Sequence, residues 1–225
     1  MAMNLFLKFG SERDMSELYN NGTIYCKPIS FFAQLDDGCR FDKNELVVEL
    51  NNDENSLIHL MPVDNPGKLI TLNASQVRHR KIIANPTGNL YCLFLVEIDS
   101  SLPVLPSPFD GRLEQFGTHC VSVYDNHEFF NRIFDQLNSL GIEFSCNEVT
   151  YKDLSKFRGE KDMFTKDSSY AWQKEWRLIL HTEVDEPFVF KIGSLEDIAY
   201  FFGTERIEDK VFVNAALINN DSEHK

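Results

Sequence analysis

Between Asp125 and Leu140, apolar residues recur at steps of three and four: Phe129, Phe130, Ile133, Phe134, Leu137 and Leu140. This spacing places them on one face of an amphipathic helix, with the Asp125 carboxylate positioned to accept the first free N–H groups as an N-cap. Such a stripe is core rather than a cofactor box. Elsewhere the pattern is one of short strands. Residues 5–9 form an apolar run that ends at Gly10-Ser11, where Ser11 caps a helix over 12–19 that Asn20-Asn21-Gly22 stops. A second short strand at 23–26 is broken by Pro28, and 29–35 is rich in apolar and aromatic residues. Residues 45–50, 56–61 and 68–72 read as short strands between Asn, Asp, Pro and Gly turns.

The clearest strand is 90–98, whose apolar run from Leu90 to Val96 suits a sheet covered on both faces. Residues 102–108, with Pro103, Pro106 and Pro108, read as a surface loop. Further strands are expected at 118–124, 142–151, 173–181, 188–192 and 211–216, and Ser194 opens a helical turn. No repeat or low-complexity tract interrupts the chain. Many short strands with one or two helices, and no βαβ alternation, predict an α+β fold in which 1–225 form a single elaborated domain.

Composition narrows the class. The 225 residues carry 22 Lys and Arg against 35 Asp and Glu, a net charge of −13, and 43% are hydrophobic. With 19 Phe, 7 Tyr and 2 Trp the chain has the apolar area for a folded core and is not a disordered segment. The longest apolar run falls far short of the roughly 20 residues that cross a bilayer as a helix. The first residues read as a strand entering a helix rather than a leader, so a cytoplasmic location without membrane contact is expected. The five cysteines, at 26, 39, 92, 120 and 146, show no C-x-x-C spacing and read as buried free thiols. The acidic total argues against non-specific nucleic-acid binding, which needs basic surface to release counterions. Residues 65–96, however, contain no acid and carry Lys68, Arg78, Arg80 and Lys81. That island has two readings: a solvated loop around Arg78-His79-Arg80-Lys81, or a groove for RNA.

Three clusters carry candidate chemistry. At Lys8-Phe9-Gly10-Ser11, a glycine at a strand-to-helix junction lets a ligand approach the backbone, unless it is a plain turn glycine. The second cluster runs from Tyr25 through Ser30 and Phe31 into Asp36, Asp37, Arg40, Asp42 and Glu45. It reads as an ion-pair network of Arg40, Asp42 and Glu45 or as a divalent-metal site, although the spaced oxygen ligands of a calcium loop are missing. In the third, alternation along a strand would put Gln173, Glu175 and Arg177 on one face and Trp172, Lys174, Trp176 and Leu178 on the other. The open readings are an active face and a mere surface ion pair. No G-x-S-x-G elbow, phosphate-binding G-x-x-x-x-G-K or H-E-x-x-H is present, and the six histidines are scattered.

Four segments carry a resemblance. They are L-F-L-K-F-G-S with the following L-x-x-x-G-T-I-Y-x-x-P-x-x-F, the D-G-x-R-x-D-x-x-E run, H-C-V-S-V-Y-D-x-x-E-F-F, and F-x-K-x-x-x-Y-x-x-x-x-E-W-R. Together they resemble a family of uncharacterised bacterial proteins scattered through mobile elements and abortive-infection or anti-phage loci. The order of strand, Gly-Ser, helix, Gly, strand with Tyr, and late Gln-x-Glu is also similar to ADP-ribosyltransferases, including defence toxins that modify RNA. That resemblance implies mostly antiparallel sheets around a cleft, NAD as substrate, Glu175 stabilising the oxocarbenium-like transition state and Gln173 orienting the acceptor. It implies a nucleotide pocket of Lys8, Phe9, Gly10, Ser11, Tyr25, Ser30, Phe31, Arg40 and Arg177, with Tyr25 or Phe31 stacking on nicotinamide and Lys8 and Arg40 facing the pyrophosphate. Two departures are visible: Phe9 stands where that family has His, and no Ser-Thr-Ser follows the second strand. The expected partners are RNA, through 65–96, and a neutralising antitoxin. The rival expectations are a non-enzymatic interaction or immunity protein, and a metal-dependent nuclease using Asp36, Asp37, Asp42 and Glu45.

Overall fold

The computed structural model describes residues 2–34, 42–99, 110–205 and 207. The chain opens with β1 (Ala2–Gly10), α1 (Glu12–Asn21), β2 (Thr23–Pro28) and α2 (Ile29–Gln34). There follow β3 (Val47–Leu60), β4 (Ile70–Ile82), β5 (Asn89–Asp99), β6 (His119–Val123) and α3 (Asn126–Ser139). The remainder is β7 (Phe144–Glu148), β8 (Thr150–Lys152), β9 (Arg158–Glu160), β10 (Thr165–Asp167), β11 (Glu175–Leu180), β12 (Phe188–Lys191) and β13 (Ala199–Gly203). The fold is α+β with few helices, as the pattern predicts, and its sheets are mostly antiparallel, as the resemblance implies.

Local chemistry explains the helix ends. Ser11 accepts a hydrogen bond from the Asp14 N–H and Asp125 from the Glu128 N–H. Gly22 closes α1 in the left-handed region at φ 61°, a conformation glycine adopts without Cβ strain. The α3 stripe is core in Phe129, Ile133 and Leu137, which are fully buried, with Phe130 and Phe134 partly buried against them; Leu140, expected on the same face, follows the helix end and is exposed.

β5 organises the main sheet. One edge pairs with β11, which in turn pairs with β7. The other edge is shared by β1 along Phe94–Asp99 and by β2 at Asn89 and Leu90. From there the sheet forks, one arm continuing β1 to β6 to β13 and the other β2 to β12. Between the arms the Lys8 ammonium donates to the Cys92 carbonyl at 2.7 Å and sits 4.1 Å from the Tyr91 ring centroid. Lys8 therefore satisfies a carbonyl at the fork.

Helices α1 and α3 pack on one face of this sheet over a core that includes Phe6, Leu93, Val121, Trp176 and Leu178. The other face carries two smaller clusters, one around Leu5, Leu7 and Phe94 and one around Ile29, Leu90 and Ile179. Two small sheets adjoin it, the parallel pair β8–β10 and the three-stranded β4–β3–β9. In the latter, β3 and β4 make a long ribbon where three separate short strands are expected, and the 78–81 segment is strand, not loop. β13 is an addition to the expected set, whereas the strand expected at 211–216 lies outside the described residues.

Candidate functional site

β11 alternates across the main sheet. Trp176 and Leu178 enter the helix-side core, so Glu175 and Arg177 project from the opposite face. The expected strand does not extend back to 172. Ser168–Gln173 is a 3-10 turn, Lys174 takes a left-handed conformation at φ 41°, and the strand begins at Glu175. Trp172 consequently packs beside Phe116 in the cluster on the Glu175 side, not with Trp176. Gln173 reaches Glu175 by another route, through Lys166.

Lys166 lies on β10, whose pairing with β8 sets it opposite Tyr151. Its ammonium donates to Gln173 Oε1 at 2.8 Å and to Glu175 Oε1 at 2.6 Å. Glu175 Oε2 accepts from Arg177 Nε at 2.7 Å, and the Glu175 backbone N–H donates to the Tyr151 hydroxyl. The rest of the guanidinium addresses Glu45, at 2.7 and 3.2 Å, and the Met163 carbonyl. Glu45 arrives on a turn that Asp42 shapes by accepting from the Asn44 N–H. Side chains of Arg177, Glu45 and Lys166 are 1%, 3% and 4% exposed, while Glu175 keeps 12%. The result is one buried chain of charges: Glu45, Arg177, Glu175, Lys166.

The electrostatics split the carboxyl groups. Burial works to raise the Glu175 carboxyl, but the Lys166 and Arg177 charges outweigh it and hold the group down at about 2. Glu45 is lowered in the same way, its burial overcome by Arg177 and Lys166. Asp42 goes the other way, raised by burial and by the neighbouring Glu45 charge. Its Oδ2 and the Asn44 Oδ1 are buried with no hydrogen-bond partner among the described residues. Lys161, buried close to Glu45 and Asp42, is lowered by desolvation. Environments that drive neighbouring carboxyls apart are a feature of acid–base and charge-stabilising sites.

The expected nucleotide pocket is only partly assembled. Gln173, Glu175 and Arg177 come together; Lys8 does not join them, because it is committed to the sheet fork. The close approach that Gly10 allows is used by the protein itself. A Cβ there would lie 2.8 Å from Met15 Cε, and one on Gly117 would lie 2.2 Å from the Gly10 carbonyl oxygen. Phe9 packs edge-on against Phe94, and Ser11 is occupied as a helix cap. Tyr25 is exposed on β2. The Ser30 hydroxyl donates to Asp185, and the Lys27 ammonium lies 3.8 Å from the Phe31 ring centroid. Arg40, Asp36 and Asp37 lie outside the described residues. For the metal-nuclease reading, both Glu45 oxygens accept from Arg177, whose positive charge lies where an ion would have to bind. Among the described residues no group of three His, Cys, Asp or Glu side chains is arranged around a possible ion.

Burial raises the thiols of Cys26 and Cys92 to about 12, and those of Cys120 and Cys146 also upward; all four are free, Cys26 and Cys120 buried as expected and Cys92 and Cys146 only partly so. Sequence reasoning missed the pairing of Glu45 with Arg177 and the central place of Lys166. Both residues stand in the quoted motifs, but no spacing rule links positions 132 apart.

Comparison with protein-family models, with curated proteins and with solved structures finds no match.

Proposed function

We propose that the chain is an NAD-consuming ADP-ribosyltransferase of the bacterial-defence type, with Glu175 as its charge-stabilising carboxylate. One observation carries the reading: Glu175 is an ionised carboxylate, oriented at both oxygens by Lys166 and Arg177, in a water-poor site that still leaves it partly open. Each carboxylate oxygen has two acceptor positions, so one on each remains for a substrate. In the transfer, the bond from ribose C1′ to nicotinamide nitrogen breaks and its electron pair leaves with nicotinamide. Positive charge then develops on the sugar facing Glu175. A nucleophile on the macromolecular acceptor forms the new bond to C1′ and releases its proton. A preorganised charge at such a point is worth ~3 kcal/mol of barrier. Gln173, 2% exposed and bonded to Lys166, acts as a positioning residue for that lysine rather than as an acceptor contact.

The test is nicotinamide release and label transfer from NAD by purified protein incubated with cell lysate and total RNA. Wild type is expected to be active, and Glu175→Gln to fall by about a hundredfold or more. Thermal unfolding of the variant separates lost chemistry from lost fold. A wild type that is silent where a known transferase works, or a folded Glu175→Gln variant with unchanged turnover, overturns the assignment.

A second reading has its own support: the cationic partners of Glu45 and Glu175 also suit a structural joint in a non-enzymatic interaction or immunity protein. That reading expects a stoichiometric complex whose formation is indifferent to NAD.

A further inference from the structure

Beyond its first residues, which follow Glu45, the β3–β4 ribbon takes no part in the site just described. β9 pairs with it only at Glu49, Leu50 and Asn51, and among the described residues β4 has β3 as its sole neighbour. Nearly every β4 side chain is exposed, and one edge of the strand carries unpaired backbone donors and acceptors. The two strands differ in charge. β3 carries Glu49, Asp53 and Glu54 with no Lys or Arg, while β4 carries Arg78, Arg80 and Lys81 with no acid. Alternation puts Ile70, Leu72 and Ala74 on the same face of β4 as Arg78 and Arg80, so that face is apolar toward one end and cationic toward the other. The apolar end continues across the ribbon, where Ile58 is opposite Leu72 and Leu60 opposite Ile70.

We propose that the free edge of β4 binds an extended segment of a partner protein by strand addition, the segment's alternate side chains running from apolar to acidic. Backbone pairing supplies the register and the side-chain gradient supplies the specificity. Two other occupants fit less well. A second copy pairing through the same edge would be antiparallel about a two-fold axis. It would set Arg78 and Arg80 against each other or against Leu72 and Ile70, and like charges directly opposite are unfavourable. Single-stranded RNA would want stacking platforms, and residues 68–82 contain no aromatic side chain beyond His79.

The experiment titrates the intact protein into two fluorescein-labelled peptides, Val-Thr-Val-Thr-Glu-Thr-Glu and the same blocks in reverse order, so that a parallel or an antiparallel partner is represented. One of them is expected to bind and to slow amide hydrogen exchange across 70–82 without changing exchange in β1 or α1. N-methylation of its alternate backbone amides should abolish binding, and Arg80→Glu should weaken it by roughly tenfold. The proposal is overturned if neither peptide binds, if the N-methylated peptide binds equally well, or if a single-stranded RNA probe protects 70–82 and the peptides do not. Self-association of the free protein through these residues would overturn it in favour of a homodimer edge.

Discussion

Replacing Arg177 with Met keeps a side chain of similar length while removing the guanidinium from between Glu45 and Glu175. The variant leaves Glu45 with both carboxylate oxygens stripped of their donors and Glu175 with Lys166 alone. Removing one partner of a buried ion pair costs about 3–5 kcal/mol, because a charge is left in low dielectric without compensation. Against a total stability of roughly 5–15 kcal/mol this is a large fraction. Urea unfolding followed by Trp fluorescence measures it, since Trp176 is the neighbour of Arg177 on β11, with its ring in the helix-side core. The pH dependence gives an independent check. In the wild type the Glu175 carboxyl titrates at about 2, below its ordinary value of 4.5. A group depressed in this way stabilises the fold fully above about 4.5, and its contribution of ~3 kcal/mol is lost as pH falls toward 2. In Arg177→Met the carboxyls lose the charge that depressed them, so protonation relieves the variant and the two stability curves should converge in acid. Adding Glu45→Gln to Arg177→Met should restore part of the loss for the same reason. A destabilisation at neutral pH below about 1 kcal/mol, or a gap that stays constant from pH 7 to pH 3, would refute the account of Arg177 as the shared counter-ion.

Two further outcomes test the frame around the site. Gly22→Ala should be severely destabilising in thermal unfolding, because its Cβ would lie 1.9 Å from the Gly193 carbonyl oxygen in addition to adopting a left-handed φ of 61°. Gly141→Ala, at φ 67° with nothing within 4 Å, is the control and should cost only ~1 kcal/mol. Asp125→Ala removes the α3 cap and should lower stability by about 1 kcal/mol in the same assay, with no effect on nicotinamide release.

What the sequence made legible was what local physics controls. The α3 stripe, the Ser11 and Asp125 caps, the Gly22 stop and the β5 run each depend on neighbours within one turn or one strand, and each appears where expected. The ribbon was harder to see. Residues 51–54 are Asn-Asn-Asp-Glu, poor strand formers that read as a turn, and they stay extended because residues 76–79 pair with them. Lys8 looked like an anion ligand because the fork that it fills is created by β2 and β5, far away in sequence. Gln173 was correctly grouped with Glu175 for an incorrect reason: the link is the Lys166 ammonium after a 3-10 turn, not the alternation of a continuous strand.

The position of the charged chain bears on what it is for. Glu45 precedes β3 of the three-stranded sheet, Lys166 belongs to the two-stranded sheet, and Glu175 and Arg177 belong to the main sheet, so the cluster is where three sheets meet. If stability were the whole requirement, apolar side chains of similar volume would serve that junction as well or better, because desolvating several charges offsets most of their attraction. The charges do two things that apolar groups cannot. They fix one register between sheets, since each oxygen has a particular donor, and they keep a carboxylate ionised where water is scarce. The first would be met by a cluster closed on every side. Glu175 is the more open carboxylate of the pair, while on the turn that carries Glu45 the buried Asp42 Oδ2 and Asn44 Oδ1 have no hydrogen-bond partner among the described residues. Unpaired buried polar atoms cost ~1–3 kcal/mol each, and among the described residues they occur also at Thr23, Tyr91, Ser122 and Asn126, away from the cluster, so they do not single it out. What a joint built for rigidity alone does not need is the 12% of Glu175 left open, and the proposed catalytic role rests on that opening.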